Sequence, residues 1–149
     1  MLKQQNTPLN ILLADDDKDD RFFFEKALME IPIATHLITV NDGEELMAYL
    51  SGSEEALGTD VLFLDLSMPR KNGFECLAEI NQNETLKDIP VVMFSTSYPR
   101  DKNYEKELIN MLTRIGAYHH IRKPGDFEEL KKVILNALHM VTEKKSLNS

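Results

Sequence analysis

Three short, nearly continuous apolar runs constrain the fold of this chain most strongly. They lie at Asn10–Ala14, Val61–Leu64 and Pro90–Phe94. Runs this short and this apolar are typical of strands that are buried on both faces of a parallel sheet. Two weaker strand candidates, His36–Val40 and His119–Ile121, bring the predicted number of strands to five.

A helix-like segment follows each strand candidate. The predicted helices are Lys18–Glu30, Gly43–Ser51, Gly73–Asn81, Asp101–Ile115 and Asp126–Glu143. The last segment repeats its apolar residues at close to the helical period, and Asp126 can cap its start. Strands that alternate with helices along a chain predict an α/β fold, here a doubly wound, five-stranded parallel sheet with helices on both faces.

The bulk properties predict one domain without an output domain. The 149 residues are enough for a single core, which we place at residues 9–143, with flexible polar termini at 1–8 and 144–149. The net charge of −8 argues against affinity for nucleic acid or membrane surfaces. A lone cysteine, Cys76, cannot form an internal disulfide, and the N-terminus has no signal-peptide pattern. These features predict a cytoplasmic protein.

Polar side chains stand where four of the predicted strands end. In chain order they are Asp15, Asp16 and Asp17, then Asp65, then Ser95, and finally Lys123. Because the carboxyl ends of such strands meet at one edge of the sheet, we expect these groups to lie together. Asp65 has the strongest claim to a function, since a carboxylate that ends so apolar a strand is costly unless it is paired.

This set of groups suits phosphoryl chemistry. Clustered carboxylates repel one another, and a hard cation such as Mg²⁺ relieves the repulsion. Asp65 could then attack phosphorus and form an aspartyl phosphate, while Lys123 neutralises charge and Ser95 hydrogen-bonds a phosphoryl oxygen. Taken singly, each residue also fits an ordinary role as a helix cap, a turn residue or a surface lysine.

With these residues in place, the sequence resembles the response-regulator receiver domain, the phosphoacceptor module of two-component signalling. The resemblance rests on Ile11–Asp17, Val61–Gly73, Pro90–Thr96 and Arg122–Pro124, and it extends over residues 9–143. It implies the CheY-like, flavodoxin-like (βα)5 fold with strand order 2-1-3-4-5. It also implies that the chain is not an enzyme beyond its own phosphorylation and dephosphorylation.

The resemblance assigns the metal and phosphoryl sites. Asp65 accepts a phosphoryl group from a phosphohistidine on a sensor histidine kinase or a histidine phosphotransfer protein. Mg²⁺ is held by Asp15, Asp16, Asp65 and the backbone carbonyl of Ser67, while Asp17 is not a primary ligand.

The resemblance also assigns the switch and the partners. Ser95 is the switch hydroxyl, Lys123 pairs with the phosphoryl group, and a cis peptide bond joins Lys123 to Pro124. The implied output is a downstream protein target, with no direct contact to nucleic acid or membrane, and with a homodimer through the fourth and fifth helices as one arrangement.

Two features depart from the family pattern. The family commonly has a Tyr or Phe three residues before the lysine, where this chain has His120. That histidine is either a switch residue whose charge depends on pH or a surface residue with no such role. The segment around Tyr98–Tyr104 is also longer than usual, which predicts a longer fourth helix or a longer loop before it.

Two other functions stay open at this level. Asp15 and Asp17 fit the Asp-x-Asp motif of Mg²⁺-dependent phosphohydrolases of the haloacid-dehalogenase type, although Lys18 does not suit that motif. A receiver-like binding module that is never phosphorylated is the second alternative, and His120 is the feature that favours it.

Overall fold

Five short strands form one parallel sheet in the computed structural model, which describes residues 7–147. The strands are β1 (Leu9–Ala14), β2 (Thr35–Val40), β3 (Val61–Leu64), β4 (Val91–Ser95) and β5 (His119–Arg122). The helices are α1 (Lys18–Met29), α2 (Gly43–Gly52), α3 (Gly73–Gln82), α4 (Lys102–Ile115) and α5 (Phe127–Leu147). The sheet order is β2-β1-β3-β4-β5, which confirms the predicted fold class and strand order.

The central strands alternate their side chains between two apolar layers. Leu12 and Leu64 belong to the layer that α2, α3 and α4 cover. Leu13 and Phe63 belong to the opposite layer, under α1 and α5, where the ring of Phe24 packs edge-on against Phe63 at a centroid distance of 5.0 Å. All four residues of β3 are fully buried, so the strand ends inside the core and Asp65 is the first residue beyond it.

An Asp or Asn side chain caps the start of each of the helices α1 to α5. Each of these side chains accepts a hydrogen bond from a backbone N–H of the first turn, which satisfies a donor that the helix itself leaves free. The caps are Asp17, Asp42, Asn72, Asp101 and Asp126. These caps explain why the predicted helix starts agree with the structure to within one residue, and the predicted role of Asp126 is confirmed.

The prediction of a loose tail from residue 144 is wrong for the part that the structure describes. The last helix continues through Leu147. Lys145 Nζ lies 2.8 Å from Asp60 Oδ1, and Lys144 Nζ lies 4.6 Å above the ring of Tyr118. These contacts hold the polar end of α5 against the body of the domain. The predicted flexibility of residues 1–6 and 148–149 falls outside the described residues.

Gly73, the first residue of α3, packs directly against the backbone that carries Asp65. A Cβ at this position would lie 2.3 Å from the Asp65 carbonyl oxygen. We expect Gly73→Ala to lower the free energy of unfolding by about 2–4 kcal/mol, because backbone atoms must move to relieve the overlap. Urea unfolding measures the loss. The control is Gly52→Ala, where nothing lies within 4 Å of the added Cβ; an equal loss in both variants would contradict the prediction.

Candidate functional site

Lys123 gathers three carboxylates at the carboxyl edge of the sheet. Its Nζ lies 2.7 Å from Asp15 Oδ2, 3.1 Å from Asp65 Oδ2 and 2.8 Å from Asp20 Oδ2. Asp15 follows β1, Asp65 follows β3 and Lys123 follows β5, so the sheet itself brings these three predicted residues together. Burial alone would lower the pKa of Lys123, but the contacts with Asp15 and Asp20 outweigh burial and raise it. The amine therefore stays charged.

The second oxygen of Asp65 is held from the other side. Its Oδ1 accepts a hydrogen bond from Ser95 Oγ at 2.7 Å and one from the backbone N–H of Ser67 at 3.2 Å. Ser95 is fully buried and Asp65 nearly so. The buried carboxylate is thus paired on both oxygens, which answers the energetic objection to a charge at the end of an apolar strand.

Three carboxylates at this edge have the composition of a divalent cation site. Asp15, Asp16 and Asp65 each offer an oxygen, and these oxygens all lie within 4.8 Å of one another. Asp16 is exposed, whereas Asp15 is buried, and burial raises the pKa of Asp15 to about 6. Asp15 Oδ2 is paired with the Lys123 ammonium at 2.7 Å. An all-oxygen set of carboxylates that converge on one position fits a hard divalent cation.

Asp17 and Asp20 lie near the site but outside its cluster of carboxylate oxygens. Asp17 caps α1 by accepting a hydrogen bond from the backbone N–H of Asp20 at 3.0 Å. That geometry agrees with its exclusion from the primary ligands. The side chain of Asp20 reaches Lys123, a contact that sequence reasoning missed. Nothing in the spacing separates Asp20 from the neighbouring Asp19, since both are acidic residues in the first turn of a helix.

The predicted cis peptide bond before Pro124 is wrong for this structure. The bond between Lys123 and Pro124 is trans. The trans isomer is the more stable form even before proline. With this isomer Lys123 still reaches the carboxylates, because its backbone N–H donates to the Ser95 carbonyl at 3.0 Å and so continues the pairing of β5 with β4.

Arg122 fixes the loop between β4 and α4. Its guanidinium donates to the carbonyl oxygens of Tyr98 at 2.8 Å and Pro99 at 3.0 Å, and to Glu105 Oε2 at 2.8 Å. The ring of Tyr98 is buried 6.2 Å from the ring of His120. The longer segment is therefore accommodated by a clamped loop followed by α4, whose observed start at Lys102 agrees with the predicted helix to one residue.

The hydroxyl of Tyr98 is buried without a hydrogen-bond partner among residues 7–147. Burial also raises its pKa, so the phenol stays neutral. We expect Tyr98→Phe to raise the free energy of unfolding by about 1 kcal/mol. The substitution removes a hydroxyl that loses its hydrogen bonds with water on folding and makes none with the residues that the structure describes. Thermal and urea unfolding test this. Tyr104→Phe, at a side chain that is 64% exposed, is the matched control with little expected change. A loss of stability in Tyr98→Phe would show that the hydroxyl is hydrogen-bonded in solution.

Comparisons with known proteins identify the class. Residues 11–135 match the family described as the response regulator receiver domain, and the chain belongs to this family. It is 38% identical over 120 residues to the response regulator Rcp1 of Synechocystis sp., which covers 76% of this chain and 82% of that protein. It is 28% identical to Protein PilG of Pseudomonas aeruginosa, with 87% of each chain covered.

Solved structures agree with this assignment. The phosphorylated cyanobacterial phytochrome response regulator RcpA has a TM-score of 0.73 at 33% identity, covering 86% of this chain and 89% of that one. The Mn²⁺-bound form of response regulator Rcp1 has a TM-score of 0.67 at 33% identity, covering 85% and 89%. The chain is thus a receiver of two-component signalling, a family of signalling modules that interact with histidine kinases and downstream targets.

Membership in this family decides against the phosphohydrolase alternative. Asp17, which suggested the Asp-x-Asp motif together with Asp15, caps a helix instead of joining the acidic group.

In the part of the chain that the structure describes, every helix is too short or too polar to pass through a bilayer.

Proposed function

We propose that this chain is a phosphoacceptor response regulator in which Asp65 takes a phosphoryl group from a phosphohistidine on a sensor histidine kinase or a histidine phosphotransfer protein. The observation that carries the proposal is the setting of Asp65. One of its oxygens contacts Lys123 and the other accepts from Ser95, and the same carboxylate lies in one oxygen cluster with Asp15 and Asp16. A nucleophile, a fixed cation and a hydroxyl donor thus surround one position.

The chemical step is an in-line transfer at phosphorus. An oxygen of Asp65 forms the new P–O bond while the P–N bond of the phosphohistidine breaks, and the imidazole leaves with the electron pair. The Lys123 ammonium stabilises the negative charge on the phosphoryl oxygens, since it already lies 3.1 Å from Asp65 Oδ2. The product is an aspartyl phosphate, and the only chemistry proposed for the chain is its own phosphorylation and dephosphorylation.

Mg²⁺ is the proposed cofactor. Asp15, Asp16, Asp65 and the backbone carbonyl of Ser67 would hold it, and when bound it would supply positive charge to the phosphoryl oxygens. The three carboxylates support this assignment because their oxygens already converge. The role of the Ser67 carbonyl stays a prediction; the amide of the same residue donates to Asp65 Oδ1.

Ser95 is the proposed switch. Its hydroxyl donates to Asp65 Oδ1 and accepts from the backbone N–H of Ser97 at 3.1 Å. Once Asp65 carries a phosphoryl group, the Ser95 hydroxyl has a new acceptor. The same hydroxyl is hydrogen-bonded to the backbone of Ser97, which lies in the loop after β4. His120 packs near Tyr98 of the same loop, so we propose that its surroundings change with the loop. The resulting output is a change in contacts with a downstream protein.

Three further assignments belong to this proposal. They are a cytoplasmic location, the absence of direct contact with nucleic acid or membrane, and a homodimer through α4 and α5. The net charge of −8 supports the second.

The test uses acetyl phosphate as a small phosphodonor. The protein is incubated with acetyl phosphate and Mg²⁺, and its intact mass is measured before and after treatment with hydroxylamine. We expect one added phosphoryl group that survives acid and is removed by hydroxylamine, and we expect no adduct when EDTA replaces Mg²⁺. The absence of any adduct on the wild-type chain would overturn the proposal in favour of a receiver-like binding module that is not phosphorylated.

A further inference from the structure

Asp20 supplies a third carboxylate to Lys123 and differs from the other two in its position. It lies in the first turn of α1, whereas Asp15 and Asp65 follow strands. Its side chain is 39% exposed, compared with 8% for Asp65 and 1% for Asp15. Its Oδ2 nevertheless lies 2.8 Å from Lys123 Nζ, a shorter distance than the one from Asp65 to the same amine.

Asp20 is held in place through both its backbone and its side chain. Its backbone N–H donates to the side chain of the capping residue Asp17 at 3.0 Å, which fixes the first turn of α1. Its carboxylate contacts the amine. Within residues 7–147, Asp20 stands outside the oxygen cluster of Asp15, Asp16 and Asp65. Asp20 is thus bound to the lysine of the site without being a member of its acidic group.

We propose that Asp20 is a positioning residue that holds the Lys123 amine in place throughout phosphoryl transfer. The inference rests on the proposed function of Asp65. A divalent cation bound by Asp15 and Asp65 would compete with the amine for their oxygens, and phosphorylation would convert the carboxylate of Asp65 into an acyl phosphate. Both events would weaken the contacts of those two carboxylates with the amine. The contact with Asp20 survives both, so Asp20 is the partner that keeps Lys123 aimed at the incoming phosphoryl group.

The cleft beside the site explains why such a partner is needed. A cleft of about 430 Å³ opens between α1 and α5, with Phe23, Phe94 and Phe127 among its lining residues. Asp20 and Lys123 both stand at its wall. A long, flexible lysine side chain whose other partners have been drawn away can turn into this space. Asp20 lines the same cleft and holds the amine at 2.8 Å, which opposes that movement.

Asp20→Asn is the variant that tests the role, because it keeps the shape of the side chain and removes its charge. Asp19→Asn is the matched control, since Asp19 is an exposed acid in the same first turn. We expect Asp20→Asn to slow phosphorylation by acetyl phosphate at saturating Mg²⁺ by about tenfold, the scale of effect that a displaced catalytic group produces. We expect Asp19→Asn to stay within about twofold of the wild-type rate.

A second readout follows the amine itself at saturating Mg²⁺ and without phosphodonor, the condition in which Asp20 is the partner that remains. The proton–nitrogen NMR signal of the Lys123 ammonium is expected to be sharp in the wild type and in Asp19→Asn. It is expected to broaden through faster exchange with solvent in Asp20→Asn. A purely structural contribution of Asp20 to α1 would change the unfolding midpoint and leave this signal unaltered.

The background of Lys123→Met shows whether Asp20 acts through the lysine. If it does, adding Asp20→Asn to that background changes neither the phosphorylation rate nor the binding of Mg²⁺ alone. The inference is overturned if Asp20→Asn and Asp19→Asn phosphorylate at the same rate as the wild type, or if Asp20→Asn slows the Lys123→Met protein as much as it slows the wild type. Failure of the wild type to form any adduct would instead count against the proposed function.

Discussion

Asp65→Asn is expected to abolish the phosphoryl adduct that acetyl phosphate and Mg²⁺ form on the wild-type chain. The amide has no anionic oxygen with which to attack phosphorus, so the loss should exceed about a thousandfold, the scale seen when a nucleophile is removed. Asn retains one oxygen that can accept from Ser95 and Ser67, which preserves the hydrogen bonds now made by Oδ1. Intact-mass spectrometry with hydroxylamine treatment measures the adduct.

Asp60→Asn is the matched control for this prediction. Asp60 immediately precedes the same strand, β3, at the opposite end from the site, where it contacts Lys145 and the backbone N–H of Asn10. The control should be phosphorylated at the wild-type rate. A hydroxylamine-sensitive adduct on Asp65→Asn would show that another carboxylate is the acceptor, and Asp15 would then be the first to test.

The sequence predicts the strands and most of the site for the same physical reason. Apolar runs specify a sheet that is buried on both faces, and β3 has the predicted bounds at both ends. Once the strands are parallel, whatever follows their carboxyl ends must meet at one edge. Asp15, Asp65, Ser95 and Lys123 are therefore brought together by the topology, and the distances among them agree with that expectation.

Features that depend on how helices and loops pack are beyond the reach of the sequence pattern. Asp20 contacts Lys123 only because α1 packs beside α5 and the loop that precedes it, and no period in the sequence encodes that contact. The same applies to the end of α5, where Lys145 forms an ion pair with Asp60, a residue far away in the sequence. The hydrogen bond from Arg122 to the carbonyl of Tyr98 likewise joins the end of β5 to a loop that is distant in sequence.

Asp15→Asn is expected to separate the stability of the domain from its affinity for metal. In EDTA at about pH 7.5 the variant should unfold at higher urea than the wild type, with a gain of about 1–2 kcal/mol. Burial raises the pKa of Asp15 from 3.8 to about 6, and that difference corresponds to about 3 kcal/mol if nothing offsets it. That shift already includes the contact with Lys123, which lowers the pKa of Asp15. The buried amide N–H groups of Asn, which lie beside an ammonium and not an acceptor, offset part of the gain. In the same variant, Mg²⁺ affinity should fall at least about tenfold, because the buried ligand is neutral.

The pH dependence of this gain has a definite sign. Between pH 3.8 and about 6 the folded wild type holds the Asp15 proton that the unfolded chain releases. Its stability relative to the unfolded chain therefore falls as pH rises through that interval, and the advantage of Asp15→Asn should grow from about pH 4 to about pH 7. Asp16→Asn is the control for both effects of Asp15→Asn, since Asp16 belongs to the same oxygen cluster but is exposed. It should lose Mg²⁺ affinity without gaining stability. An Asp15→Asn protein that is less stable than the wild type in EDTA at about pH 7.5 would mean that the pairing with Lys123 outweighs the burial of the carboxylate.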